Sequence, residues 1–243
     1  VSATGSAGTI AAGDHLKAQF GTEIVAVEAL ECPTMLENGF GEHNIQGIGD
    51  KHIPLIHNVH NTDVVAAISD QVTDQLDLVF QSEVGRAHLV DEFGLDPELV
   101  AQFEHFGYSA IANAAAAIAF ARLRDIGPND VVLTVATDGA AMYNSGREPI
   151  RQRDFGGTFG RAEAAATVER HLGDPGVHAV LDLDERERRR IFNLGYFTWV
   201  EQQNLDVDAF TARGEEAWWD AMVPTVELWD ELITDFNQRT GLA

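Results

Sequence analysis

Cysteine and long apolar runs are scarce in this sequence. Its one cysteine, Cys32, excludes an internal disulfide and is compatible with the reducing cytoplasm, where we expect the protein to reside. The longest apolar stretch, Ala110–Ala121, is interrupted by Asn113 and is shorter than the roughly 20 residues that cross a bilayer. Val1–Thr9 has neither a basic start nor an apolar stretch, so it lacks the pattern of a signal peptide.

Positive charge is also scarce. The 243 residues include 39 acidic residues against 16 lysines and arginines, which gives a formal net charge of −23. Nucleic acids and anionic membranes bind cationic surfaces, so this balance argues against both as partners. Lys17 and Lys51 are the only lysines, and the other basic residues are arginines.

Apolar periodicity is present and predicts the class of fold. The hydrophobic content of 45% supports a packed core in one large domain or in a domain with an extension. The patterns predict strands at 23–28, 63–68 and 131–136, and helices at 9–20, 71–82, 86–93 and 108–124. Strands that alternate with helices are typical of parallel sheets. We therefore predict an α/β fold with an open, mostly parallel sheet and flanking helices.

The sequence changes in character after residue 145. A loop is predicted at 144–158. Helices are predicted after it, at 162–172, 183–194 and 206–240. Three tryptophans, Trp218, Trp219 and Trp229, recur at helical spacing, and we expect them to pack these helices together. The sequence thus predicts two parts, a domain over residues 1–145 and a helical C-terminal extension over residues 146–243.

A glycine-rich turn, Gly5-Ser6-Ala7-Gly8-Thr9, directly precedes the first predicted helix. Small residues let backbone N–H groups surround an anion, and the helix N-terminus adds partial positive charge. Gly5 and Gly8 allow close approach of the backbone, and Ser6 and Thr9 offer hydroxyl groups. A plain strand-to-helix turn has the same composition, so this turn alone leaves a structural role open.

A second glycine-containing segment, at residues 45–54, reads IQGIGDKHIP and follows after one predicted helix and one predicted strand. It lies within residues 29–61, where the absence of a clear period predicts a long functional loop. Gly47 and Gly49 would let this backbone approach a bound molecule closely.

The two segments, in this order and at this distance, resemble the fold-type II pyridoxal 5'-phosphate (PLP) enzymes of the cysteine synthase and cystathionine β-synthase family. The family's GTGGT-like loop, which holds the cofactor phosphate, falls on Gly5, Ser6, Ala7, Gly8 and Thr9. Its IQGIGAGFIP-like segment falls on residues 45–54. The resemblance covers residues 1 to about 145 and implies PLP as the cofactor. Because Ala7 replaces a glycine, its backbone must accept a Cβ atom.

In this family the second segment lines the substrate side of the cofactor. The resemblance therefore assigns a substrate loop to Gln46, Gly47, Ile48 and Gly49. The next three residues are Asp50, Lys51 and His52, where the family usually has small or aromatic residues. This departure leaves the amino-acid substrate undefined. Lys51 either contacts a substrate carboxylate or lies on the loop surface.

Two later segments also resemble the family. Residues 107–110, GYSA, resemble the GISSGA segment that begins a helix. Residues 136–139, ATDG, fall where the family has a turn that places a hydroxyl beside the pyridine nitrogen. Two interpretations are open: Asp138 faces the ring nitrogen and favours its protonated form, or Thr137 makes that contact and Asp138 caps a turn.

The resemblance implies β-elimination or β-replacement on an amino acid such as a serine, O-acetylserine or cysteine derivative. The family's Schiff-base lysine lies upstream of the phosphate loop, a position that neither Lys17 nor Lys51 occupies. We therefore expect the lysine to come from an N-terminal half or a second polypeptide, in a homo- or hetero-oligomer, and the start at Val1 favours this interpretation. The alternative is a non-catalytic partner subunit that binds phosphate or PLP.

Three histidines within nine residues, His52, His57 and His60, raise one further alternative, a zinc or other divalent metal site. No carboxylate or cysteine stands at a matching metal-ligand spacing, and the segment already fits the PLP family. The sequence therefore predicts no metal site.

Overall fold

A four-stranded sheet is the centre of the computed structural model, which describes residues 1–3, 5, 7–48, 51–173 and 179–242. The strands are β1 (Ser2–Ala3), β2 (Val25–Ala29), β3 (Val64–Ile68) and β4 (Ala179–Asp182). They lie in the order β1-β2-β3-β4, with the first three parallel and β4 antiparallel to β3. The predicted α/β fold with an open, mostly parallel sheet is confirmed.

Helices make up most of the remaining described chain. The α-helices are α1 (Gly8–Phe20), α2 (Thr34–Glu37), α3 (Asp70–Gln81), α4 (Glu83–Phe93), α5 (Pro97–Gln102), α6 (Tyr108–Leu123), α7 (Asn144–Phe155), α8 (Arg161–Val168), α9 (Glu185–Tyr196), α10 (Val207–Ala212), α11 (Glu216–Asp220) and α12 (Thr225–Thr240). Short 3-10 turns lie at Val59–Asn61, Phe103–His105 and Ala140–Tyr143, and π-helical turns at Glu169–Gly173 and Phe197–Gln202.

Short apolar runs form the two central strands. Every residue of β2 and β3 is buried, and the register pairs Val25 with Val64 and Ala29 with Ile68. Such continuous burial is typical of parallel strands that are covered on both faces. The polar exception is Glu28, which is 2% exposed.

Each face of the sheet has its own apolar core because neighbouring residues of a strand point to opposite faces. On one face, Val27 of β2 belongs to the same cluster as Leu76 of α3 and Ile111 of α6. On the other, Ala26 of β2 shares a cluster with Ile10 of α1 and Ile191 of α9. Helix α9, from the C-terminal part of the chain, therefore helps to cover the sheet built by the first part.

Asp63 joins several elements at the amino end of the sheet. Its carboxylate accepts hydrogen bonds from the Ile24 backbone N–H and from Lys17 Nζ of α1, both at 2.7 Å. Arg188 Nη2 of α9 lies 3.4 Å from the same carboxylate. The Asp63 backbone carbonyl accepts from the Leu183 N–H, just after β4, at 2.8 Å. One residue thus links α1, three strands and α9.

The prediction of a strand at 131–136 is wrong. These residues belong to no strand, and the side chains of Val131 and Leu133 are 80% and 60% exposed. The β-branched residues favour extended backbone, but a strand also needs a neighbour that completes its ladder. The segment lies beside β1, where the amine of Val1 donates to the Leu133 carbonyl at 2.9 Å.

The prediction of a loop at 144–158 is wrong over most of its length because α7 lies there. Pro149 lies inside this helix and disfavours it intrinsically. An ion pair between Arg147 of α7 and the fully buried Asp77 of α3, at 2.7 Å, holds the segment in place. Tertiary contact has therefore overridden local propensity.

The C-terminal part of the chain is helical as predicted, with one added strand. β4 lies within the region 146–243 and pairs with β3, with Leu181 opposite Val65. This region therefore completes the sheet of the first part. The division into 1–145 and 146–243 stays a prediction.

The tryptophans near the C-terminus differ in their surroundings. Trp218 and Trp219 pack edge to face with ring centroids 4.8 Å apart, and Trp219 Nε1 donates to the Arg213 carbonyl at 2.8 Å. Trp229 of α12 is 61% exposed, so the expectation of packing is wrong for this residue.

Across the described ranges, no helix combines the length and the apolar character that a membrane crossing requires.

We predict that Asp63→Ala lowers the free energy of unfolding by about 2–3 kcal/mol, because it leaves the Ile24 N–H without its acceptor and removes the carboxylate that pairs with Lys17 and Arg188. Asp91→Ala is the matched control, since Asp91 pairs with Arg161 at 3.1 Å but both side chains are more than half exposed. Its loss should stay below about 1 kcal/mol. Urea unfolding of both variants measures the difference, and equal losses would contradict the role of Asp63.

Candidate functional site

The two glycine segments meet at the carboxyl end of the parallel strands. A Cβ atom built on Gly5 would lie 2.2 Å from the carbonyl oxygen of Gly47, so the backbones of the two segments are in direct contact. Gly5 follows β1 closely, and the loop that carries Gly47 follows β2. Open α/β sheets bind ligands at this edge. Ser6 and Gly49, which the sequence assigned to the two loops, lie outside the described residues.

Ala7 has a backbone conformation that favours glycine. Its φ of 60° and ψ of 7° place it in the left-handed region, and it is 2% exposed. For an L-residue with a Cβ this conformation costs about 1–2 kcal/mol. The turn therefore accepts the Cβ atom of Ala7 at the cost of backbone strain. Such strain is often found at ligand-binding turns.

The N-terminus of α1 is suited to an anion. Ala7 occupies the cap position without a side-chain hydrogen bond, and the first turn contains no acidic residue. The Ala11 N–H donates to the carbonyl of Ala7, the cap residue. The N–H groups of the helical residues before Ala11 therefore have no acceptor within the helix. A Cβ atom on Gly8 would meet no atom within 4 Å, so the side of the first turn that Gly8 presents is open. This turn fits a phosphate group.

A second polar cluster forms around Asp138. Ser109 Oγ donates to Asp138 Oδ1 at 2.5 Å, and the hydroxyl of Tyr143 donates to Oδ2. Thr137 Oγ1 lies 2.8 Å from Ser109 Oγ. Burial, followed by the hydrogen bond to Asp138, raises the pKa of Tyr143, so this residue remains a donor at neutral pH. The structure thus brings together the two later segments that resemble the PLP family.

Asp138 and Thr137 differ in accessibility. Asp138 is half-buried and packs against Gly107, where a Cβ would lie 2.4 Å from its carboxyl carbon. The Gly107 N–H also donates to the Asp138 carbonyl at 3.1 Å, just before α6 begins. Thr137 is exposed. Asp138 therefore serves the start of α6, while the Thr137 hydroxyl is open to a ligand.

A cavity of about 530 Å³ lies between Gln46 and the pair Tyr108 and Tyr143. Its lining includes Asn44, Gln46, Asp74, Tyr108, Tyr143 and Arg153. The rings of Tyr108 and Tyr143 stack with centroids 3.8 Å apart, and Asn44 Nδ2 donates to Asp74 at 2.8 Å. The cavity thus combines aromatic faces with amide and charged groups, as small-molecule sites do.

Two ion pairs beside this cavity were not anticipated from the sequence. Arg147 pairs with Asp77, and Arg153 Nη2 pairs with Asp74 at 2.9 Å. Both arginines lie in the stretch predicted as a loop. Asp74 and Asp77 stand three residues apart on α3, and two buried acids on one helix face could have signalled that cations were needed nearby.

The two lysines have different surroundings. Lys17 Nζ is held by Asp63 and by the Asn61 carbonyl at 2.8 Å, at the amino end of the sheet. Lys51 is exposed, and its amine lies 5.7 Å from the centroid of the Phe40 ring. Lys17 is therefore held away from the glycine-rich turn.

The three clustered histidines have separate surroundings. His57 Nε2 lies 2.9 Å from the Thr62 hydroxyl, and burial lowers its pKa to about 4. His52 packs edge to face against Trp199, and His60 packs against Phe192. Among the residues with described positions, no three histidine, cysteine or acidic side chains are grouped to hold a metal ion.

Glu28 is a buried acid that sequence reasoning did not single out. Its carboxylate accepts the backbone N–H groups of Met35 and Leu36 at 2.9 Å, at the start of α2. Burial raises its pKa to about 7 despite these hydrogen bonds. Glu28 holds the first part of the long loop against β2.

A larger groove, of about 890 Å³, lies between α1 and residues 131–135. Its lining is mostly apolar and includes Leu16 and Phe20 of α1. The charged pair at its rim, Arg124 and Glu23, is already joined at 3.0 Å. The lining of the groove also includes Thr9 of the glycine-rich turn, but a larger share of the smaller cavity is polar, so the smaller cavity is the stronger candidate site.

Comparisons with known proteins found no matching family model and no matching curated protein. One solved structure that matches is a mutant of a hydrogen sulfide-producing enzyme, in lysine-dimethylated form, complexed with an alpha-aminoacrylate intermediate. The match has 20% sequence identity and a TM-score of 0.41, and it covers 70% of this chain and 43% of that one. This chain thus spans less than half the length of that enzyme.

We predict that Gly5→Ala and Gly8→Ala have different effects. Gly5→Ala pushes a methyl group into the Gly47 carbonyl and should destabilise the fold by about 1–3 kcal/mol. Gly8→Ala has room for its methyl group and should leave stability unchanged or raise it by up to about 1 kcal/mol. Because that methyl group enters the open space at the helix N-terminus, Gly8→Ala should weaken phosphate binding roughly tenfold.

Thermal unfolding and calorimetric titration with inorganic phosphate separate these effects. Ala12→Gly, on the exposed side of α1, is the control for helix propensity and should not change phosphate affinity. Unchanged phosphate binding by Gly8→Ala would show that the anion site is not at this turn.

We predict that Glu28 makes stability depend on pH. Its pKa is higher in the folded chain than its ordinary value of 4.5, so the folded state holds the proton more tightly. The contribution is favourable below pH 4.5 and is lost as the pH rises to about 7, by roughly 3 kcal/mol. Glu28→Gln removes this titration, so the stability of the wild type relative to the variant should fall between pH 5 and pH 8, as measured by urea unfolding. A constant difference would argue against a raised pKa.

Proposed function

We propose that this chain is the C-terminal part of a PLP-dependent enzyme that acts on an amino acid by β-elimination or β-replacement. In this proposal the lysine that carries the cofactor comes from an N-terminal half or a second polypeptide. The single observation that carries the proposal is the contact of Gly5 with Gly47 beside the uncapped N-terminus of α1. Two separate sequence segments that resemble one cofactor site are thereby adjacent.

The proposed roles follow from the position of each group. Backbone N–H groups at Gly8 and Thr9, with the Thr9 hydroxyl, bind the cofactor phosphate. Gln46, Gly47 and Ile48 line the substrate side, and the cavity beyond Gln46 receives the amino acid. When bound, PLP supplies an electron sink for charge that develops at the substrate α-carbon. The chain itself binds and orients both molecules.

We assign the contact with the pyridine nitrogen to Thr137 and a positioning role to Asp138. Thr137 is exposed, whereas the Asp138 carboxylate already accepts hydrogen bonds from Ser109 and Tyr143. A hydroxyl leaves the ring nitrogen largely unprotonated, which suits elimination and replacement at the β-carbon. Asp138 accepts the Ser109 proton, so Thr137 is the donor in its 2.8 Å contact with Ser109 Oγ. Thr137 must turn its hydroxyl proton from Ser109 to the ring nitrogen when the cofactor binds.

A second candidate function is a non-catalytic subunit that binds phosphate or PLP. The observation that favours it is the ion pair of Lys17 with Asp63, which holds this amine away from the glycine-rich turn of residues 5–9. The two functions share the anion site and differ in whether a lysine from elsewhere reaches the cofactor. For either function we propose a cytoplasmic location, consistent with one buried, unpaired cysteine.

We predict that Thr137→Ala weakens PLP binding by roughly three- to tenfold, the value of one hydrogen bond, without a change in inorganic phosphate affinity. Thr134→Ala, another exposed threonine in the same extended segment, is the control and should bind PLP like the wild type. Calorimetric titration with PLP and with phosphate measures both affinities. Equal PLP binding by the two variants would mean that the ring lies elsewhere.

Borohydride reduction distinguishes the two candidate functions because it fixes PLP covalently to the lysine that carries it. The chain should be purified from its source cells with every associated polypeptide, reduced, and mapped by peptide mass spectrometry. The enzyme proposal expects the label on a lysine outside residues 1–243. A label on Lys17 or Lys51 contradicts it, and bound PLP without any label supports the non-catalytic subunit.

A further inference from the structure

We propose that the C-terminal helix α12 joins two copies of this chain as an antiparallel helix pair. This inference is independent of the proposed function. It concerns the one long helix of the C-terminal region that buries none of its residues.

Apolar side chains on α12 form a continuous exposed stripe. Val226, Trp229, Ile233 and Phe236 are each between 54% and 61% exposed, and Leu232 beside them is 50% exposed. Their spacing of three and four residues places the first four on one face, in the a and d positions of a heptad. Exposed apolar stripes of this length mark interaction surfaces.

The charges on α12 lie away from this stripe. Glu227, Glu231 and Asp235 follow the opposite side of the helix, at the b, f and c positions of the same heptad. Arg239 pairs with Asp235 at 3.3 Å within the helix. One acid, Asp230, stands beside the apolar face. A second copy therefore meets an almost uncharged surface, even though the whole chain carries a net charge of −23.

An antiparallel register gives complementary side-chain volumes in every layer. With the helices centred on residue 231, Val226 lies opposite Phe236 of the second copy, and Trp229 lies opposite its Ile233. Each layer thus pairs an aromatic ring with a β-branched side chain, which fills space well. Leu232 lies opposite the Leu232 of the second copy on one flank. The helix dipoles also run in opposite directions, which is the favourable arrangement.

The apolar area is sufficient for a stable dimer. Two half-exposed aromatic side chains and several aliphatic ones offer on the order of 600 Å² per copy. Two copies would bury about 1,200 Å², which reaches the lower end of the range for specific interfaces. Because the same stripe is presented by both copies, a two-fold axis satisfies both at once.

We predict that the full chain, fused to a monomeric carrier that keeps it in solution, is a dimer by sedimentation equilibrium. The double variant Trp229→Ser, Ile233→Ser should weaken association by roughly a hundredfold or more. The matched control Glu227→Ser, Glu231→Ser changes the opposite side of α12 and should remain a dimer. Asp230→Asn should tighten the dimer, since the register brings the two Asp230 carboxylates near each other.

Cysteine crosslinking tests the register. The natural Cys32 is only 1% exposed, so it should not compete with an introduced cysteine. Leu232→Cys should form a disulfide-linked dimer under mild oxidation, and Glu231→Cys should not. If the chain is a monomer at concentrations well above about 1 μM, the proposal is overturned. It is also overturned if the double variant still forms the dimer. Efficient crosslinking at Trp229→Cys rather than Leu232→Cys would show a parallel pair and would also overturn it.

Discussion

The hydrogen bonds of Asp63 are the constraint on which the arrangement of the sheet depends. At the amino edge, its carboxylate holds the backbone before β2 and a cation from α1, while its carbonyl holds the chain after β4. Because β1, β2 and β3 are parallel, fixing this edge places their carboxyl ends together at the other. The glycine turn and the loop with Gly47 must therefore start side by side. The site follows from how the opposite edge of the sheet is held.

At the carboxyl edge, three buried acids have partners close by, whereas the half-buried Asp70 lies beside the acidic Glu31. Asp77 is paired with Arg147, and Asp74 with Arg153. Glu28 is bound by backbone N–H groups at α2. In a chain with a net charge of −23, unpaired carboxylates here would oppose an anionic ligand. The absence of acids from the first turn of α1 leaves the helix N-terminus as a local positive site.

The sequence predicted well where local pattern and tertiary contact agree. The central strands and α1, α3 and α6 came from apolar runs with clear periodicity, and the resemblance assigned the two glycine segments to one cofactor site without predicting their contact. The prediction of a strand at 131–136 failed because the side chains favour a strand, but no described neighbour completes a ladder of backbone hydrogen bonds with it. Helix α7 was missed because Pro149 argues against a helix, whereas the decisive contact is the ion pair between Arg147 and Asp77, seventy residues apart. Long-range pairs of this kind leave no local signal.

The position of Lys17 supports the proposal that the lysine that carries the cofactor comes from another polypeptide. The residue lies nine positions after Gly8 on the same helix, and a rise of about 1.5 Å per residue places it about 14 Å along the axis from the phosphate turn. Its amine is also fixed to Asp63 and to the Asn61 carbonyl. Moving it to the cofactor would break the contact that holds the amino edge of the sheet. The same lysine cannot stabilise the fold at one edge and act at the other. In the proposed function, the glycine-rich turn supplies the donors that bind a phosphate group, and Lys17 remains part of the fold rather than of the site.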